Sequence, residues 1–546
     1  MHDRPATTRA RRRLGWHVLL CAAALAVIWA VVRPTTSFTT DEGAYGAQAD
    51  SLLDGSWEYE YQAAALDPDG EFFPLKYSTS SERGSYAYVR HPAYPIVVAG
   101  AAAAFGRGGG VLLPGMVGAL VAAVGAWFLA ARLRPGSEPC AFWLTAASPL
   151  AFNALVLWGH TLAAAGAALA VVAVAAALTR PSPSWLYWAG AAAAVVGTVL
   201  VRSEGFLFGM ALGAAAVVIG LVSRARAAVV GGGGAILLVT AVTAFAERAW
   251  VSAITGGGAG RLEARSSSTG GRLEGVWRSL AHGVVNDPDG AAFALLAGVL
   301  GVYGAVVLLR ARRLTGPATI ALAGAGAAYA GRLVAAPADP IAGLLLAWPI
   351  AVVAAGVGIG RIRREPVALL VTVTVGLFAG AVLLTQYPDG GGLQWGGRFL
   401  TPAVPLLAAL AAAVLSRLPR REAIAAAVAL AVVPTSCGLV ILREARAEQA
   451  EVDAAVRAAD ADLYLSGLIH QPRLMWRDEL PWMAVPVEDM GEVLDRAAAA
   501  GVESVTLVLP QEDEPDAPCW DADSEVPVRG GAVRVVHLEP ARTCGD

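Results

Sequence analysis

The sequence predicts an all-α polytopic membrane protein with a small α/β domain at its C-terminal end. Three observations carry that prediction. Of 546 residues, 56% are hydrophobic and 16% charged, where soluble domains carry roughly 25% charge. Apolar runs of about 20 residues, the length that crosses a ~30 Å hydrocarbon core, recur through the first four-fifths of the chain. Past Arg443 helical stretches such as Met490 to Ala500 alternate with β-like runs such as Ser504 to Leu509 and Val533 to Leu538. With 41 basic against 44 acidic side chains the net charge is −3, so no basic field points to nucleic acid.

The first element is the run Trp16 to Val32 behind the basic cluster Arg9 to Arg13. It ends in Val31, Val32, Arg33 and Pro34 without a small-x-small cleavage pattern. It therefore reads as a retained anchor rather than a signal peptide, with residues 1–15 cytoplasmic. Further spans are expected at 111–131, 142–159, 161–179, 185–201, 205–222, 228–246, 291–309, 315–331, 341–360, 367–385, 399–416 and 423–441, about thirteen in all. Arginines fall at alternate junctions: Arg132 and Arg134, Arg180, Arg224 and Arg226, Arg310 to Arg313, Arg361 to Arg364, and Arg417 to Arg421. Positive-inside bias makes these the cytoplasmic loops. The run Tyr94 to Phe105 is about a dozen residues long and breaks the alternation if it crosses, so it is expected to be interfacial or re-entrant.

This gives a transmembrane domain over 16–442 and an extracytoplasmic α/β domain over 443–546, in the plasma (inner) membrane. Large outer loops fall at 34–92 and 247–290. The Gly- and Ser-rich stretch Gly256 to Gly271 reads as a flexible segment or a lid. Gly231 to Gly234 reads as a break in a span. Cys21, Cys140 and Cys437 lie in or beside spans as small apolar residues. Cys519 and Cys544 fall in the outer tail, where an oxidising compartment would let them pair.

Cytoplasmic loops of a few residues cannot build a site, so any chemistry faces outward. The sharpest candidate is Asp41-Glu42, a few residues beyond the first span. Adjacent carboxylates are costly in lipid and useful in a cavity. They also suit the first turn of a helix opening at Thr40 or Asp41 and running to Leu53. As hard oxygen ligands the pair would suit Mg²⁺ or Mn²⁺, although no ligand spacing supports a metal. Downstream, Trp57, Tyr59, Tyr61, Phe72, Phe73, Tyr77, Tyr86 and Tyr88 form either a bilayer belt or a sugar-stacking groove. Arg90 and His91, before Pro92, place cations where a lipid phosphate would lie, or simply anchor headgroups. Arg202 and Glu204 interrupt an apolar stretch between two spans, as functional charges or as a local ion pair. Arg398 follows Gly390 to Gly392 and Gly396-Gly397, which permit close backbone approach to a ligand. Arg261, Arg265, Arg272 and Arg278 are further outer cations.

The combination resembles the fold-class-C (GT-C) glycosyltransferases, in particular the branch with the protein O-mannosyltransferases and the lipid A aminoarabinose transferases. Asp41-Glu42 after the first span carries the resemblance, with Arg90-His91-Pro92-Ala93-Tyr94, similar to a basic-Pro-Pro-aliphatic element. So do Arg202-Ser203-Glu204-Gly205, like an Arg-x-Glu-Gly turn, and Gly397-Arg398-Phe399-Leu400-Thr401-Pro402, which looks like the Arg-aromatic-Leu-x-Pro opening of a late span. The resemblance implies a GT-C-like fold and transfer of a sugar from a polyprenyl-phosphate donor to a cell-envelope glycan, glycolipid or protein. It implies Asp41 as general base, with Glu42 supporting it or assisting a divalent cation. Direct chemistry agrees: the donor is already activated, so one carboxylate must deprotonate the acceptor and cations such as Arg90, His91, Arg202 and Arg398 must stabilise the leaving phosphate. In-line attack inverts the anomeric carbon. Where several relatives carry a second acid, this chain reads Trp158-Gly159-His160-Thr161; His160 is a proton acceptor, a phosphate contact or a helix-end histidine bonded to backbone.

Two other classes compete. A secondary transporter would gather polar groups at the midplane in two related halves, whereas here they concentrate at one surface. A non-catalytic envelope assembly protein would use the tail to bind a partner and would tolerate loss of Asp41. No phosphate-binding loop, Rossmann fingerprint or nucleophile elbow occurs in a suitable context, which argues against ATP-driven transport.

Overall fold

The computed structural model describes residues 4–74, 78–82, 85–88, 91–179, 185–222, 227–254, 269–281, 288–337, 343–357, 364–385, 394–475 and 480–541. The chain divides into two compact units. One comprises Met1–Arg33, Leu112–Arg248 and Glu263–Leu442; the other comprises Pro34–Val111, Ala249–Leu262 and Arg443–Asp546.

The first unit is helical. Among the described residues of the chain, ten helices are long and apolar enough to cross a membrane, from Arg12–Val32 to Arg420–Ala459. The protein is therefore a multi-pass membrane protein. Three expected spans take other forms. Trp185–Val201 is a helix of 17 residues. The run 142–159 is split into the helices Glu138–Ala146 and Pro149–Asn153. In the run 341–360 the described residues, 343–357, form a short helix, Leu344–Ala347, and a 3₁₀ helix, Pro349–Gly356. The cause is common to both breaks. Pro149 and Pro349 each stand at the first position of the second segment, where proline opens a helix but cannot continue the one before it. Ser148 completes the first break by accepting a hydrogen bond from the Leu150 amide at 3.1 Å.

Gly231 to Gly234 do not break a span. They lie inside the unbroken helix Ala227–Ile254. A Cβ at Gly233 would sit 2.9 Å from the Gly213 carbonyl oxygen, so Gly233 lets two helices approach closely.

The second unit contains two sheets. The smaller is antiparallel, β1 (Tyr59–Glu60), β2 (Ser78–Glu82) and β3 (Ser85–Tyr88), in the order β1-β3-β2. The larger comprises β4 (Leu463–Ser466), β5 (Trp482–Ala484), β6 (Val505–Pro510), β7 (Trp520–Val528) and β8 (Val533–Pro540), in the order β5-β4-β6-β8-β7. β4 runs parallel to both neighbours, and β6, β8 and β7 are antiparallel. Helix Met490–Ala499 and strands β6 and β8 fall where the sequence placed them. The short strands β4 and β5 and the exposed β7, rich in Asp, Ser and Glu, lack a legible apolar pattern. No linker marks the point near Arg443 where composition changes, because the helix Val433–Ala459 runs straight through it. Cys519 is disulfide-bonded, Cys21, Cys140 and Cys437 are free, and Cys544 lies outside the described residues.

The same unit holds the helices Thr40–Leu53 and Ala93–Phe105. The second has the short length expected of the Tyr94 to Phe105 run. The loop between these helices is held by Asp67, which accepts hydrogen bonds from the Tyr61 hydroxyl at 2.9 Å and from the amides of Phe72 at 2.8 Å and Glu71 at 3.0 Å. Its aromatics face one another: Phe73 stacks on Tyr86 at 3.7 Å and meets Tyr61 edge-on at 5.0 Å. Tyr61, Phe73 and Tyr86 thus pack on one another. Tyr77 lies outside the described residues.

Candidate active site

In the second unit the helix Thr40–Leu53 opens as expected, with Asp41 and Glu42 in its first turn, where negative charge is favoured. The two carboxylates have different surroundings. Glu42 is 2% exposed. Its Oε2 accepts from the Thr39 amide at 3.0 Å and from the Phe38 amide, and its Oε1 pairs at 2.9 Å with Nη2 of Arg446. Asp41 is half-buried. Gly43 follows because nothing larger fits: a Cβ there would overlap the carbonyl oxygen of Arg473. Tyr45 of this helix meets Tyr94 of the helix Ala93–Phe105 edge-on at 4.9 Å.

His91 stands just before that second helix. It is buried, with a backbone φ of 47°, a left-handed conformation that a residue with a Cβ adopts only when its surroundings enforce it. Arg90 lies outside the described residues.

A second constellation occupies the first unit. The Arg398 guanidinium carbon lies 5.4 Å from the Trp158 ring centroid and 5.2 Å from that of Phe399. His160, 1% exposed, meets Trp158 at 5.0 Å and Phe399 at 6.4 Å, both steeply inclined. Nearby, Arg202 and Glu204 form a buried two-pronged pair, Nε to Oε2 at 3.1 Å and Nη2 to Oε1 at 2.9 Å. Gly159 connects the groups, since a Cβ there would lie 3.3 Å from Cδ of Arg202. Three stretches that are distant in sequence, 158–160, 202–204 and 398–399, thus meet.

Local backbone explains how Arg398 is presented. Gly396 and Gly397 have φ of 87° and 61°, and the Gln394 side chain accepts from the Arg398 amide. The close approach those glycines permit is to the protein itself, since a Cβ at Gly397 would meet the Ser279 carbonyl oxygen at 2.6 Å. Arg278 pairs with Glu274 one turn away on the helix Thr269–Leu280. Arg261 and Arg265 lie outside the described residues, as do Gly390 to Gly392.

Sequence reading overlooked three residues. Arg332 is fully buried near the end of the helix Gly316–Ala335 and donates to the Ala336 carbonyl; a charge inside an apolar run was the available signal. Asn153 is fully buried, and neither atom of its amide has a hydrogen-bond partner among the described residues. Arg446 had no signal, because its partner Glu42 lies 404 residues earlier.

The residues at Asp41-Glu42 do not fit a divalent cation. The Glu42 carboxylate is already held by a guanidinium and two amides, and among the described residues no group of three or more His, Cys, Asp or Glu could hold a metal ion.

No family model matches the chain, and no curated protein sequence does. Solved structures do. ArnT from Cupriavidus metallidurans bound to undecaprenyl phosphate is 14% identical, covering 96% of this chain and 98% of that one with a TM-score of 0.51. ArnT in the apo state covers the same shares at 14% identity, with a TM-score of 0.53. An oligosaccharyltransferase, AglB from Archaeoglobus fulgidus, in complex with an inhibitory peptide and a dolichol-phosphate, covers 91% of this chain and 69% of that one at 12% identity and a TM-score of 0.43. Over nearly its whole length, this chain has the GT-C fold seen in ArnT.

Proposed function

We propose that this protein is an inverting glycosyltransferase that moves a sugar from a polyprenyl-phosphate donor to a cell-envelope acceptor at the outer face of the plasma membrane. The observation that carries the reading is the presentation of Arg398 on the rings of Trp158 and Phe399, beside His160 and the Arg202–Glu204 pair. A flat guanidinium with aromatic backing suits a phosphate oxygen. The structure of ArnT bound to undecaprenyl phosphate, which shares the fold, supports a lipid-phosphate ligand.

In this reading Asp41 takes the proton from the acceptor hydroxyl or amine. The new glycosidic bond forms as the bond from the anomeric carbon to the phosphate oxygen breaks, and polyprenyl phosphate leaves with the electron pair. Displacement from the face opposite the leaving group inverts the anomeric carbon. Arg398 and Arg202 stabilise the growing phosphate charge, a contribution that rises as the bond breaks and so lowers the barrier. Glu204 holds Arg202 in place, Glu42 fixes the turn that carries Asp41, and His91 and Arg90 offer further contacts to the phosphate. The disulfide at Cys519 suits an oxidising compartment, which supports an extracytoplasmic tail and a cytoplasmic N-terminus.

The test is transfer of radiolabelled mannose or pentose from polyprenyl-phosphate donors to envelope acceptors by purified protein, with Asp41→Asn at equal folded yield. Transfer by the wild type and its loss in the variant are expected. Equal transfer by both would remove Asp41 from its role, and transfer from no donor would overturn the glycosyltransferase reading.

A further inference from the structure

We infer that Arg446 is a positioning residue for Asp41, clamping the turn that carries it, and that the C-terminal region is therefore part of the catalytic machinery rather than an appendage. The inference rests on the proposed role of Asp41. The clamp acts on both sides of that residue. Ahead of it, the Arg446 carbonyl oxygen accepts from the Thr36 hydroxyl at 3.0 Å. Behind it, the Arg446 guanidinium pairs with Glu42 at 2.9 Å, and the other oxygen of Glu42 holds the Phe38 and Thr39 amides. One residue further on, Gly43 is pressed against the Arg473 backbone carbonyl. The chain from Thr36 to Gly43 thus has Asp41 inside a stretch fixed at each end by residues that follow it by some 400 positions.

The chemistry of the pair supports positioning. Arg446 and Glu42 have side-chain exposures of 3% and 2%, and burying two charges gains little stability unless the pair is well made and its remaining oxygens are bonded. Here they are. Such a pair fixes a geometry more than it adds stability. A general base must stay within hydrogen-bond reach of the proton it removes, so release of the turn should slow the chemical step more than it weakens donor binding.

The experiment uses the full-length protein in lipid nanodiscs with Arg446→Gln, Arg446→Lys and Glu42→Gln at equal folded yield. Two readouts are taken. Hydrogen–deuterium exchange follows the amides of residues 38–45, and transfer kinetics use polyprenyl-phosphate mannose or pentose, whichever the wild type accepts. Arg446→Gln is expected to speed exchange in 38–45 and lower kcat by about 10- to 100-fold with donor KM within about twofold, a scale set by small misplacements of catalytic groups. Arg446→Lys should recover part of the loss, and Arg446→Gln added to Asp41→Asn should cost nothing further. If folded Arg446→Gln keeps wild-type kcat, or exchange in 38–45 is unchanged, the clamp is overturned. Failure of Arg446→Gln to fold leaves Arg446→Lys and Glu42→Gln to decide by the same readouts. A wild type that transfers from no donor would overturn the glycosyltransferase reading and with it the catalytic part of the inference, while exchange would still judge the clamp.

Discussion

The guanidinium carbon of Arg398 sits 5.4 Å from the ring centroid of Trp158, a cation lying over an aromatic face. Such an arrangement is worth about 0.5–2 kcal/mol. Trp158→Leu is expected to raise donor KM several-fold. Arg398→Lys should act more strongly because a point charge replaces a planar fork, with KM up by about tenfold, near 1.4 kcal/mol. Steady-state kinetics over donor concentration check both, and wild-type KM in Arg398→Lys would contradict the phosphate role.

The Arg202–Glu204 pair makes a stability prediction. Glu204→Gln leaves a buried guanidinium without its counter-charge, so unfolding in detergent should shift by an amount corresponding to about 3–5 kcal/mol. Replacing both residues with Met should cost much less. A double variant whose loss equals the sum of the two single-variant losses would show that the two charges are not coupled.

The two kinds of glycine in the second unit behave oppositely. At Gly43 an added methyl would overlap the Arg473 carbonyl, so Gly43→Ala should unfold or loosen this unit and abolish transfer. Gly100 lies in the helix Ala93–Phe105 with nothing within 4 Å of an added Cβ, and Gly100→Ala should be neutral or stabilise by about 0.5–1 kcal/mol. Thermal unfolding of the two variants side by side makes the comparison.

Alkaline pH should weaken the loop built on Asp67. Burial, and then the Asp67 carboxylate, push the Tyr61 phenol well above its ordinary range, and the same causes raise Tyr86. A group whose pKa is raised by folding contributes fully below its unfolded value, about 10, and that contribution fades as pH climbs through the folded value. Melting temperature should therefore fall more steeply above pH 10 in the wild type than in Tyr61→Phe, which starts lower but has a flatter profile. Parallel profiles would argue against Tyr61 as the cause.

The sequence made the membrane class readable because twenty-residue apolar runs and alternating arginines report on solvent and charge, which act locally. The helix start at Thr40 was legible for the same reason, since a cap and first-turn acids are neighbours in sequence. Long-range pairing was not. The meeting of Trp158, Arg202 and Arg398 depends on which helix ends adjoin, and the pairing of Glu42 with Arg446 depends on a contact across 404 residues. The aromatic run between Trp57 and Tyr88 shows the converse. Its composition suits a ligand groove and a self-packed cluster equally well, and the stacking of Phe73 on Tyr86 is a contact that composition does not reveal.

The ion pair between Glu42 and Arg446 also sets a timetable. A ribosome adding roughly 5–20 residues per second needs roughly 20–80 s to travel from the first partner to the second. During that interval the first span has emerged, yet the turn beyond it has no guanidinium to close on. A nascent chain released early would carry every helix up to Leu415 and still lack the bond that fixes its acidic turn. The order of synthesis is thereby written into the fold: the carboxylate at position 42 is set only by a residue made some 400 positions later.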